Sequence, residues 1–261
     1  MDQSQNRVEY WESRANHCDG IQKVMNYACA DEMTKLEIPE LLAVLPPLEG
    51  KSILELGAGI GRFTTALAQK AGHVTAVDLI EKFTEENRQN NSHFGNVDFV
   101  TSDVAKLEVP RTYDLVFSNF LLQYLDEKEC RDVVMKTISW LNKDGYVFFR
   151  ESAKDERDLP GPPKSNASLY RHPTFYTDIF NNVRKPVEGN TDVAELLKIL
   201  QTGTVQCVKK VMSRDIDTHH FWVLQKVSMV NANNEEGPVK NGIMVNGNGL
   251  TNGDAGEVTE E

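Results

Sequence analysis

The residues with the most chemical content lie in Ile53-Leu54-Glu55-Leu56-Gly57-Ala58-Gly59-Ile60-Gly61-Arg62. A short apolar run, an acid and a G-x-G-x-G loop succeed one another there, as where a strand enters a helix through a tight turn. Glycines in such a turn let the backbone fold sharply and let a ligand approach the amides. A dinucleotide fingerprint, G-x-G-x-x-G, would need glycine where Arg62 stands. Glu55 would also repel a pyrophosphate, and it suits a ligand bearing an ammonium or sulfonium group. One β-α unit later, His73-Val74-Thr75-Ala76-Val77-Asp78 is a second apolar run closed by an acid. In a nucleoside-binding α/β fold that position holds the carboxylate that accepts from ribose hydroxyls. A third run, Val97-Asp98-Phe99-Val100, leads to Ser102-Asp103-Val104, and a fourth, Tyr113 to Phe117, ends in Ser118-Asn119. Any one of these acids reads equally well as a helix cap or strand-end turn. All of them in order, each at the carboxyl end of a strand, define a ligand-binding sheet edge.

The elements that must carry these residues follow from periodicity. Residues 7 to about 45 read as helical, with Ile21, Val24, Met25 and Ala28 and then Leu41, Leu42 and Leu45 at helical spacing; Pro46-Pro47 closes this cap. Strand and helix patterns alternate from Lys51 to Arg150, which means a mostly parallel sheet. A helix from Glu127 to Leu141 is expected to stop at Lys143-Asp144-Gly145, before a strand over Tyr146 to Phe149. From Glu151 to about Asn190 a polar, proline- and serine-rich stretch reads as an insertion over the sheet edge. Val193 to Leu200 reads as helix, and Val205 to Val211 and Phe221 to Leu224 read as closing strands. From Ser228 on, six acids face one lysine in low-complexity sequence, read as a disordered acidic tail without a catalytic role. The expected organisation is therefore a helical cap over 1–46, a folded domain over 47–227 and a tail over 228–261.

Bulk properties narrow the function. A chain of 261 residues suits one α/β domain with decoration, and a net charge of −11 argues against a nucleic-acid partner. No apolar run reaches the roughly 18 residues of a membrane span, and Met1 to Gln5 lacks the apolar stretch of a signal peptide. Cys18, Cys29, Cys130 and Cys207 are scattered without a C-x-x-C pair, as in a reduced cytoplasmic protein; His17, His172, His219 and His220 show no metal spacing.

The glycine loop with its acid matches the E/D-x-G-x-G-x-G pattern, and the chain resembles the class I methyltransferases that use S-adenosylmethionine. That resemblance implies a Rossmann-like α/β fold with a mostly parallel seven-stranded sheet and an insertion after the fifth strand. It implies cofactor contacts from Glu55, Gly57, Gly59, Gly61 and Arg62 in the loop, from Asp78 and Leu79 after the second strand, and from Asp103, Val104 and Asn119. Asp103 would hold the adenine amino group, and no metal is implied. Three stretches together resemble the phosphoethanolamine N-methyltransferases of plants and nematodes, specifically their N-terminal methyltransferase domain. They are Leu45 to Thr64, Phe117 to Leu125, and Phe148 to Ser152 continued by Lys164-Ser165-Asn166, Tyr170-Arg171 and Phe175-Tyr176-Thr177. The resemblance covers roughly Tyr10 to Val227. Members often carry two such domains in tandem, so a second methyltransferase domain or protein of the same pathway is an expected partner.

The third stretch also makes chemical sense by itself. Between Leu159 and Lys185 four basic residues, Lys164, Arg171, Arg184 and Lys185, face one acid, Asp178, in a chain that is otherwise strongly acidic. That excess fits an anionic group, and the resemblance implies a phosphate held by Ser152, Lys164, Ser165, Tyr170, Arg171 and Tyr176. The family's basic residue near position 163 is replaced here by Pro162-Pro163-Lys164. The implied reaction moves the sulfonium methyl to the amine of phosphoethanolamine, on the route to phosphocholine. Tyr10, beside Trp11 in the lid sequence, is the implied orienting or proton-relay residue, with Tyr124 where some single-domain relatives have histidine. Two other readings stand beside this one: a class I methyltransferase of another small molecule, such as a carboxylate or a sterol, and a cofactor-binding regulatory domain without turnover.

Overall fold

The apolar runs of the sequence become the centre of a single sheet. β1 (Ser52–Leu56), β2 (His73–Asp78), β3 (Val97–Thr101) and β4 (Tyr113–Asn119) are parallel, and β5 (Leu141–Ser152) joins them parallel to β4. β6 (Arg184–Val187), β7 (Asn190–Thr204) and β8 (His219–Val230) extend it antiparallel, giving the order β3-β2-β1-β4-β5-β8-β7-β6. The computed structural model describes residues 3–25, 29–153, 166–212 and 218–230.

Among the described residues seven α-helices flank the sheet: α1 (Gln3–His17), α2 (Ala30–Leu42), α3 (Arg62–Ala68), α4 (Glu81–Asn91), α5 (Glu127–Trp140), α6 (Pro173–Asn182) and α7 (Gln206–Met212). Alternation along β1 sends Ile53 and Leu54 to opposite faces, and both are fully buried because helices cover both. On one face α5 and α6 pack Val133, Ile138 and Phe180 onto Leu54, Val116 and Val147. On the other, α2, α3 and α7 pack Met33, Phe63 and Val208 onto Ile53, Leu115 and Phe148. α5 starts at a capping box, with Asp126 accepting from the Glu129 amide while the Glu129 carboxylate returns to the Asp126 amide.

Four expectations are corrected. The sheet has eight strands, because β6 arises inside the stretch read as an insertion. Val193 to Leu200 lies in β7, paired with β6 on one side and β8 on the other, and is not helical. Most of Val205 to Val211 is α7, whose Cys207 and Val208 pack against α2, with the Cys207 amide donating to the Glu40 carboxylate at 2.8 Å. β8 continues to Val230, so Ser228 to Val230 belong to the sheet; the remainder of the expected tail lies outside the described residues. Within the cap, Gly20 to Lys23 form a 3-10 turn between two helices. After α5 the left-handed residue is Asp144 (φ +59°), and the chain enters β5 already at Leu141, opposite Tyr113.

Candidate functional site

The carboxyl ends of β1, β2 and β4, with the loop after β3, enclose one cavity of about 1000 Å³, the open space at its mouth included. Its wall contains Glu55, Gly57, Gly59, Arg62, Asp78, Leu79, Asp103, Val104 and Asn119, nine of the ten positions expected to meet a cofactor. Gly61 is the exception. It takes φ +92° behind the loop, where a Cβ would strike the side chains of Asn87 and Asn91.

Two carboxyls, Glu55 buried and Asp78 half-buried, set the electrostatics. Glu55 is 3% exposed, and its Oε2 accepts from the Thr64 hydroxyl at 2.6 Å. Burial pushes its pKa up to about 8, the Thr64 bond opposing and the nearby Asp78 charge adding to the rise. Asp78 accepts from the amides of Gly59 (2.8 Å) and Ile80 (2.9 Å), fixing the glycine loop against the end of β2. Burial lifts it to about 6 despite those amides. Among the described residues no ion pair to a basic side chain holds either carboxyl. The cavity therefore favours a ligand that brings its own positive charge.

The other charged wall residues are already engaged. Arg62 donates to Thr34 Oγ1 (3.0 and 3.2 Å) and to Glu37 (2.6 Å), tying the loop to α2. Glu37 also faces the buried Arg150 at 2.5 Å, and Arg150 in turn donates to Asn119 Oδ1 and meets His219 Nδ1, both at 2.8 Å. Asp103 caps the turn at Val104–Lys106 through the Ala105 amide and pairs with Arg7 of α1 at 3.2 Å. Arg7, 3% exposed, also grips Glu129 through both terminal nitrogens at 3.0 and 3.1 Å. Sequence reasoning missed Arg7, although its i, i+3 spacing from Tyr10 places both on one face of α1.

α1 brings Trp11 to the cavity wall, while Tyr10 stands outside the lining and reaches it through Tyr124. Tyr10 stacks on Tyr124 at 6.3 Å between centroids, and Trp11 meets Tyr124 edge-on at 5.0 Å and Phe83 at 6.1 Å. Tyr124 lines the cavity and hydrogen-bonds Ser168, itself missed by sequence reasoning. Burial raises the pKa of both tyrosines, that of Tyr124 far beyond its usual range, so each remains a neutral phenol. The turn carrying Tyr124 is held from beneath: Glu151 accepts from the amides of Leu121, Leu122 and Gln123 at 2.8 to 3.1 Å. Phe120, at φ +61°, occupies the left-handed region at the cavity wall.

Of the residues expected to hold a phosphate, Arg171 and Tyr176 are neighbours, but the four that the structure describes stand back from the cavity. Arg171 points its guanidinium at the carbonyls of Leu122 (3.2 Å) and Leu125 (2.6 Å) and stacks on Phe175. Tyr176 is fully buried against Phe175 and Trp222. Ser152 sits in β5, its amide bonded to Gln123, and Tyr170 is exposed near Tyr10 and Tyr124. None of these four lines the cavity, and Lys164 and Ser165 lie outside the described residues. The local basic excess also disperses, since Lys185 faces Glu195 at 4.0 Å at the far edge of the sheet.

Residues 53–145 match the family described as a methyltransferase domain. The chain is 39% identical over 226 residues to phosphoethanolamine N-methyltransferase 3 of Arabidopsis thaliana, covering 85% of this chain and 45% of that protein. It is 30% identical to phosphoethanolamine N-methyltransferase 1 of Caenorhabditis elegans, covering 69% and 39%. The chain thus spans less than half the length of these relatives. Its fold is that of Haemonchus contortus phosphoethanolamine N-methyltransferase 1, solved with phosphoethanolamine and S-adenosylhomocysteine. The TM-score there is 0.78 at 26% identity, covering 88% of this chain and 51% of that one.

Proposed function

The chain belongs to the phosphoethanolamine N-methyltransferase family, and from that premise we propose that it transfers a methyl group from S-adenosylmethionine to the amine of phosphoethanolamine, on the route to phosphocholine. One observation carries the reading. Glu55, buried, and Asp78, half-buried, have no basic partner among the described residues and line one cavity together with the rings of Trp11, Phe83 and Tyr124. The donor set fits the cofactor: Glu55 meets its positive charge, Asp78 its ribose hydroxyls and Asp103 its adenine amino group. When bound, S-adenosylmethionine supplies an electrophilic methyl on a sulfonium.

The chain's own residues do the rest. The attacking amine must be neutral, so an ammonium has to lose a proton as it enters. Tyr10 and Tyr124, held as neutral phenols, orient the nitrogen by hydrogen bonds, and neither serves as a phenolate base. Their ring faces and that of Trp11 stabilise the cation that grows as the methyl arrives. Lys164, Ser165 and Tyr170 are assigned to the phosphate, while Arg171 shapes the turn that carries Tyr124. The four cysteines that the structure leaves as free thiols support a cytoplasmic setting, and relatives of twice the length support a second methyltransferase unit as partner in the same route.

Turnover tests the assignment. Phosphoethanolamine should be methylated efficiently and ethanolamine poorly. Equal turnover of the two would sink the phosphate site and favour a methyltransferase of another small molecule. That second reading draws on the pairing of both arginines at the cavity wall, Arg7 and Arg62, with carboxylates of this chain.

A further inference from the structure

A hydrogen-bond chain runs one way from α4 and α3 to Glu55. Thr65 Oγ1 donates to Asn91 Oδ1 (2.6 Å), Asn91 Nδ2 to Asn87 Oδ1 (2.8 Å), Asn87 Nδ2 to Thr64 Oγ1 (2.9 Å) and Thr64 Oγ1 to Glu55 Oε2 (2.6 Å). Thr64, Asn87 and Asn91 are each no more than 1% exposed, a costly place for polar groups that merely fill space. The Gly61 carbonyl sets the direction, since Asn91 Nδ2 also faces it at 3.5 Å. An amide oxygen only accepts, so Asn91 fixes the Asn87 amide with its NH2 toward Thr64. With that donor on its oxygen, Thr64 must aim its one proton at Glu55. Donors in series polarise one another and strengthen the last bond. Gly61 belongs to the same construction, since any Cβ there would collide with both asparagines.

We infer that Thr64, Asn87 and Asn91 are positioning residues that hold Glu55 as an acceptor for the positively charged part of the cofactor, an inference that rests on the cofactor reading above. Among the groups around Glu55, Asp78 from β2 disfavours its charge, and Arg62 is turned away to Thr34 and Glu37. From β4 the register partner is Phe117, followed by Ser118, both without charge. Thr64 of α3 is the group that opposes burial.

The test is calorimetric binding of three probes to the full chain at pH 7 and pH 9. S-adenosylmethionine carries ammonium and sulfonium, S-adenosylhomocysteine carries the ammonium alone, and methylthioadenosine carries neither. An unaltered chain that binds none of them would overturn the cofactor reading and this inference with it. Given binding, Thr64→Val should weaken the two charged probes about tenfold, the loss of a charge-assisted bond. The loss should be larger at pH 7, because without the hydroxyl Glu55 ionises only at higher pH. Methylthioadenosine should bind as before, and Thr64→Ser should restore the charged probes. Unchanged affinities in Thr64→Val, or an equal loss for methylthioadenosine, would overturn the inference while leaving the cofactor reading standing. If Thr64→Val does not fold, Asn87→Ala, which frees the Thr64 rotor, decides by the same pattern at smaller amplitude.

Discussion

Glu55 is buried and Asp78 half-buried at the cavity, and among the described residues neither pairs with a basic side chain. Asp78→Asn should weaken S-adenosylmethionine binding by roughly ten- to a hundredfold, since hydrogen bonds to charged groups contribute about 1.5–3 kcal/mol. Asparagine keeps an acceptor for one of the two amides, so calorimetry on a folded variant isolates the ligand term. Unchanged affinity would remove Asp78 from the site. Tyr124→Phe should lower kcat without adding or removing an ionisation in its pH profile between pH 6 and 9, because burial keeps the phenol neutral there. A lost ionisation would identify Tyr124 as a base. Arg171 shows why residue type alone misleads. Its charge and family context suggested phosphate, yet its guanidinium is taken up by two carbonyls of the turn that presents Tyr124. Arg171→Ala should therefore lower both melting temperature and kcat, and a rise in phosphoethanolamine KM with neither change would return it to the phosphate site. The acids that line the cavity were legible because strand ends and glycine loops are local. The partners of Arg7, Arg62 and Arg171 were not, because each lies more than twenty residues away in sequence.

At the scale of elements, α1 is mostly polar and is fastened by specific bonds more than by apolar burial. Gln3 donates to the carbonyls of Tyr124 and Ala167, and Arg7 clamps Asp103 and Glu129. Breaking a fully buried pair costs about 3–5 kcal/mol; here the carboxylates are partly exposed, so Arg7→Met should cost roughly 2–3 kcal/mol. The variant should expose α1 to proteases and change Trp11 fluorescence, while Arg7→Lys keeps part of the effect. Protease resistance equal to the parent would mean that the ring contacts of Tyr10 and Trp11 suffice. The elements around the glycine loop were readable because apolar runs there end in turn residues. β7 and α7 were exchanged because their patterns are ambiguous by themselves. Val193 to Leu200 carries apolar residues at both helical and strand spacing, and pairing with β6 and β8 decides for strand. In α7, Cys207, Val208 and Val211 also fit a helix face, and the Glu40 carboxylate at the first amides settles it. Such tertiary partners override local preference.

For the whole molecule, the buried acids make stability run against pH in an unusual direction. Burial raises Glu55 to about 8, Glu151 to about 7 and Asp78 to about 6 from ordinary values near 4. A group raised on folding contributes stability that is present below its unfolded value and lost as pH climbs through its folded value. These three should together remove on the order of a few kcal/mol between pH 5 and pH 9. His219 acts oppositely: burial and the nearby Arg150 hold it well below 6.5, so its contribution is present above 6.5 and fades as pH falls. One histidine cannot offset three carboxyls, so the melting temperature of the ligand-free chain should be highest near pH 5 and fall toward pH 9, a fall that the net charge of −11 reinforces through self-repulsion. S-adenosylmethionine should flatten that fall, because a bound positive charge favours ionised Glu55 and Asp78. Glu55→Gln should flatten it without ligand, since the substituted side chain no longer titrates. A melting temperature that rises from pH 7 to pH 9 in the ligand-free chain would mean that Glu55 and Glu151 are already ionised at neutral pH, and S-adenosylmethionine would then have no fall to flatten.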